Sequence, residues 1–143
     1  MAAIRNASAH WEGSLLEGAG QVTLESSGLG TFDVTWADRS EEESSGLTSP
    51  EELLAAAHST CFSMAISHAL AQAGTPPTTI DTTAAVTFVA GTGITGVALA
   101  VVGAVPGITA DQFREFAENA RAGCPVSQAL KAVPITVEAT FVE

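Results

Sequence analysis

The sequence predicts a single α+β domain over residues 1–143, and three observations carry that reading. Short strand patterns fill the first part of the chain, a long capped helix follows, and then come two strands, two helices and a last strand. A doubly wound fold would instead alternate strands with helices throughout. The length suits one domain that buries about two thirds of its unfolded surface, and no linker, repeat or low-complexity tract divides it.

The early strands are expected at about residues 7–12, 21–25 and 31–36, separated by turns rich in glycine. Residues 38–47 are acidic, serine-rich and loop-like, with Arg39 near their start. Ser49-Pro50-Glu51-Glu52 then sets Ser at an N-cap, Pro at the first helical position and Glu at the third, a capping box. Gly74 and Pro76-Pro77 stop that helix. It is apolar on nearly every face, so it is expected to be central and buried. Two strands, about 80–89 and 94–105, meet at Gly91-Thr92-Gly93 as a hairpin. Thr109 and Gln112 form a second capping box for a helix ending at Gly123. Pro125 opens a short helix to about 131, and Ile135, Val137, Ala139 and Phe141 alternate with polar residues as a half-exposed strand.

Composition excludes several functions. Sixteen acidic residues against five basic ones leave a formal charge of −11, and Arg5, Arg39, Arg114, Arg121 and Lys131 are scattered, so no nucleic-acid surface is expected. The N-terminus lacks the apolar core of a signal peptide. The most apolar stretch carries His58, Ser59, Thr60, Ser63, Ser67 and His68, so no membrane span is expected and the protein reads as cytosolic. In that compartment the two cysteines are either unrelated buried thiols or partners in a transient, catalytic disulfide.

Cys61 sits in the middle of the long helix, where an unaided thiol keeps a pKa near or above ~8.5 and needs a nearby cation or acceptor to react. Cys124 falls at the N-cap of the Pro125 helix, where free N–H groups favour negative charge on sulfur. Glu52 lies on the opposite helix face from Cys61 and serves the capping box. Glu51 lies about 80° from Cys61 in projection yet about 15 Å along the axis, beyond reach within one helix. A loop or a second subunit would have to join them. Its plain role is that of a helix-dipole acid. Arg39 is the one cation set by sequence near the helix start, with an exposed loop arginine as the plain alternative. His58 shares the Cys61 face and reads as a buried, hydrogen-bonded core histidine; a metal site with Cys61, His68 and Cys124 lacks paired ligand clusters. His10 carries no functional reading. No dinucleotide, P-loop or nucleophile-elbow motif is present.

Thr48 to Ala65, with Ala56-Ala57-His58 before Cys61 and Phe62-Ser63-Met64 after it, and Gly123 to Leu130 around Cys124, resemble the signature blocks of the OsmC/Ohr thiol peroxidases. So do Ala9 to Gly13, Ile80 to Ala84 and Val105 to Ile108, and the cysteine flanks are similar to the OsmC branch. The resemblance implies antiparallel sheets around the central helix and an intertwined homodimer with active sites at the subunit interface. It implies reduction of organic hydroperoxides, and less well of hydrogen peroxide. Cys61 matches the peroxidatic cysteine and Cys124 the resolving one, the two closing to a disulfide. Glu51 matches the catalytic glutamate and Arg39 the activating arginine, although the acidic run after Arg39 departs from the family pattern. No metal or organic cofactor is expected. The reductant, whether lipoyl, thioredoxin-like or a small thiol, is left open. Two other classes compete: a binding module with incidental thiols, and a metal-dependent hydrolase using His58 and Cys61.

Overall fold

Alternation and turn chemistry build the first three strands, which a computed structural model of all 143 residues shows as β1 (Ala7–Glu12), β2 (Ala19–Leu24) and β3 (Thr31–Val34). They form an antiparallel meander, with Ala7 opposite Leu24 and Gly20 opposite Val34. Thr23 and Thr31, facing each other, join their hydroxyls at 2.9 Å. The chain divides into two compact units, Met1–Glu51 and Glu52–Glu143. The meander belongs to the first, and no residue of the buried apolar core lies in that unit.

One element of this unit differs from expectation. A short helix, α1 (Trp36–Ser40), replaces the end of the third strand and the start of the loop, so Arg39 is helical. Thr35 caps it, accepting a hydrogen bond from the Asp38 N–H at 3.2 Å. Asp38 also organises the acidic segment: it accepts from the Ser45 N–H at 2.8 Å and from the Ser45 hydroxyl at 2.9 Å. The Ser45 hydroxyl bond is the main cause holding its carboxyl below the usual range.

The long helix α2 (Pro50–Gln72) begins at the predicted proline. Its expected burial on every face is not what a single chain displays. His58, Phe62, Ile66 and Leu70, four residues apart, form one buried stripe, while Met64 and His68 face outward. The Ala, Ser and Thr content makes the other faces read as apolar, but nothing in the chain covers them fully. By length and composition alone α2 could cross a membrane, a test that core helices also pass.

β4 (Thr79–Val89) and β5 (Gly93–Ala104) form the predicted hairpin, turned by Gly91 and Gly93 at φ +80° and +111°. β6 (Ile135–Val142) joins β5 in parallel, so this sheet is mixed, in the order β4-β5-β6. The crossover runs through α3 (Ala110–Gly123) and α4 (Pro125–Ala129). Both arms of the Thr109–Gln112 capping box form. Phe113, Ala117 and Ala120 make the inner stripe of α3. They pack in one core with Val97, Leu99, Val101 and the α2 stripe. Gly103 is required there, because a Cβ at this position would overlap the edge of the buried Phe113 ring.

Candidate active site

The first unit contains a charged pair. The Arg39 guanidinium meets Glu51 through Nη2 at 3.0 Å and Nε at 3.1 Å from Oε1, with Nε 3.3 Å from Oε2. The Glu51 side chain is 8% exposed and that of Arg39 33% exposed, so the carboxylate is buried and the cation keeps one edge open. Sequence proximity set Arg39 near the start of α2; the structure directs its fork onto Glu51. Glu51 is therefore more than an acid at a helix end. Arg39 also lines a cavity of about 330 Å³ whose other walls include Trp11, Leu15, Val34, Trp36 and Pro50. One cation in an apolar wall suits a ligand with an apolar body and a polar end.

The second unit brings the two cysteines together. Both are free thiols, Cys124 buried and Cys61 half-buried. The Cys124 sulfur and the Val126 N–H are the neighbours that act on the Cys61 thiol. Burial chiefly pushes the Cys61 thiol up; the Val126 N–H opposes this, and the Cys124 sulfur adds to it. A reactive Cys61 thus needs a positive group beyond what this unit supplies. Cys124 takes the predicted N-cap position, its sulfur accepting from the Ser127 N–H at 3.3 Å.

His58 is buried and hydrogen-bonded, as its place on the helix suggests, and Nε2 lies 2.7 Å from the Ser127 hydroxyl. Ser127 was missed in the sequence reading. It lies 3.1 Å from the Cys124 sulfur and so bridges the histidine to the thiol. The spacing Cys124-x-x-Ser127 across an N-cap was the one signal available for it. Burial lowers the His58 pKa and keeps the ring neutral. No group of three or more His, Cys, Asp and Glu residues is arranged to hold a metal ion. A separate cleft of about 460 Å³, walled by Thr78, Val105, Pro106, Ile108 and Phe141, contains no cysteine.

Comparisons with known proteins agree with this arrangement of elements. The chain superposes on the Legionella pneumophila organic hydroperoxide resistance protein OsmC with a TM-score of 0.67 at 22% identity, covering 99% of this chain and 100% of that one. An OsmC-like protein of Vibrio cholerae gives a TM-score of 0.73 at 15% identity, over 96% of this chain and 99% of the other. These likenesses establish an α+β OsmC/Ohr fold with two small sheets and a long helix. In sequence, the chain is 50% identical over 127 residues to Peroxiredoxin OsmC of Escherichia coli (strain K12) and equally to that of Shigella flexneri, with 87% of each chain covered. The family model described as OsmC-like protein matches residues 42–138. On this identity and coverage, the chain belongs to the OsmC-like protein family.

Proposed function

We propose that the protein is a cysteine-based peroxidase that reduces organic hydroperoxides, and hydrogen peroxide less well, to alcohols or water. The observation that carries this reading is the contact of two free thiols, Cys61 and Cys124, in unlike surroundings. Half-buried Cys61 is the attacking sulfur and buried Cys124 the resolving one. The Cys61 thiolate attacks the outer oxygen of the O–O bond; that bond breaks, the leaving alkoxide takes a proton, and Cys61 becomes a sulfenic acid. Cys124 then displaces hydroxide from it, giving a disulfide that a lipoyl, thioredoxin-like or small thiol reopens.

Arg39 supplies the positive charge that a burial-raised thiol requires, and Glu51 holds its guanidinium in one orientation. The apolar cavity beside Arg39 favours a hydroperoxide with an alkyl or aryl body. The working form is an intertwined homodimer, each copy one functional domain of residues 1–143. Support for it comes from the outward faces of α2, with Met64 67% exposed, and from β1, exposed along its whole length. A soluble, cytosolic protein accords with these roles.

The test is direct. Cys61→Ser is expected to abolish turnover of cumene hydroperoxide, and Cys124→Ser to allow one turnover that leaves Cys61 as sulfenic acid. Wild-type protein should lose two hydrogens per chain on peroxide treatment. Full activity in Cys61→Ser would overturn the mechanism, and no loss of hydrogens in the wild-type protein would favour a binding module with incidental thiols.

A further inference from the structure

We propose that Ser127 and His58 form a proton relay for Cys124, taking its thiol proton as its sulfur attacks the Cys61 sulfenic acid. This rests on the peroxidase reading and deepens its second step. The three side chains lie in a line, Cys124 Sγ to Ser127 Oγ at 3.1 Å and Ser127 Oγ to His58 Nε2 at 2.7 Å, and all three residues are buried. Burial slows the loss of the Cys124 proton to bulk water, so a fast second step calls for an acceptor inside the protein.

The hydrogen-bond inventory sets the direction of transfer. Cys124 donates its S–H to the serine oxygen, which leaves the serine hydroxyl hydrogen for His58 Nε2. The ring then accepts at Nε2 and carries its own hydrogen on Nδ1. Nδ1 is buried without a partner, at a cost of about 1–3 kcal/mol. A histidine kept only to fill the core has no need of that expense, since an apolar side chain would fill the same space. The Ser127 N–H, 3.3 Å from the sulfur, remains to stabilise the thiolate as it forms.

Other charges do not complicate the site within residues 52–143. Cys61 is the titratable neighbour. Asp81 on β4 and Glu138 on β6 occupy exposed strand positions, His68 faces outward on α2, and Arg121 on α3 is held by Glu118. Burial is the sole cause of the His58 shift.

The step balances without a further reactant. The Cys124 proton passes to Ser127 as the serine proton passes to His58 Nε2. The freed sulfur pair forms the S–S bond, and the S–O bond of the sulfenic acid breaks with its electrons leaving on hydroxide. Once the thiolate has gone, a buried imidazolium has no counter-charge, so His58 releases its proton and hydroxide leaves as water. Thiol and sulfenic acid become disulfide and water.

The experiment is a single turnover of reduced full-length dimer with one equivalent of cumene hydroperoxide at pH 6 to 8.5. Sulfenic acid is trapped by dimedone and disulfide counted by mass. Ser127→Ala removes the hydroxyl but keeps the backbone N–H; His58→Gln keeps a polar partner for Ser127 but accepts no proton. In both, sulfenic acid should accumulate and disulfide should form at least about tenfold more slowly at pH 7, within the usual reach of general-base catalysis. Their resolution rate should climb about tenfold per pH unit, as for a thiol deprotonated by solvent, where the wild-type profile is shallow. A merely structural role would lower the rate without steepening that profile. Wild-type rate and pH profile in Ser127→Ala, or slowing with an unsteepened profile, would overturn the relay. Absence of both sulfenic acid and disulfide in peroxide-treated wild-type protein would instead overturn the peroxidase reading, and the relay with it.

Discussion

Replacing Arg39 should harm the protein more than replacing its partner, and by a predictable margin. At 3.0 Å and an effective dielectric of about 20, the Arg39–Glu51 attraction is worth about 5.5 kcal/mol before desolvation. Burying a carboxylate that is 8% exposed takes back several of these, whereas a guanidinium that is 33% exposed loses little hydration. The net coupling should be about 2 kcal/mol. Glu51→Gln leaves a cation that can turn to water, for a cost of about 1–2 kcal/mol. Arg39→Met leaves a buried carboxylate alone, at about 3 kcal/mol. Urea unfolding followed by tryptophan emission reads this unit selectively, because both tryptophans, Trp11 and Trp36, lie within residues 1–51. Equal costs for the two substitutions would show that the pair is solvated and that Glu51 does not hold Arg39. In kcat/KM for cumene hydroperoxide the two should be non-additive, the double variant being no slower than Arg39→Met.

Two further outcomes are expected. Gly103→Ala sets a methyl against the buried Phe113 ring and 3.2 Å from Ile80 Cδ1, and should cost about 1–3 kcal/mol, read by far-UV circular dichroism during denaturation. His58, whose folded pKa lies below 6.5, contributes stability above that pH that is lost as pH falls toward its folded value. The slope should reach about 1.4 kcal/mol per pH unit below about 6.5, and His58→Gln should abolish it; an unchanged slope would locate the acid sensitivity elsewhere.

Much of the fold was legible because its signals are local. The Thr109–Gln112 capping box, the glycine turn at 91–93, the proline starts of α2 and α4 and the alternation of β6 each lie within a few residues. Helix α1 was not legible: five residues span little more than one turn, too short for a hydrophobic period. A single chain leaves part of α2 uncovered, because small residues look apolar whether or not anything in that chain packs on them. At the site, resemblance singled out the cysteines, Glu51 and Arg39 but not their partners. Glu51 meets Arg39 across the acidic loop, and Ser127 meets His58 from the far side of the β4–β5 hairpin. Only tertiary structure can state such contacts.

The parallel pairing of β5 with β6 also has a kinetic meaning. The β4–β5 hairpin closes through a three-residue turn, but Val97 finds Ile135 only after the whole α3–α4 crossover has condensed. Cys124 and Ser127 ride on that crossover, whereas Cys61 and His58 are already on the preceding helix. The two sulfurs are therefore expected to meet only once these long-range contacts form. On the proposed mechanism, that order would keep the two thiols from closing to a disulfide before the fold exists.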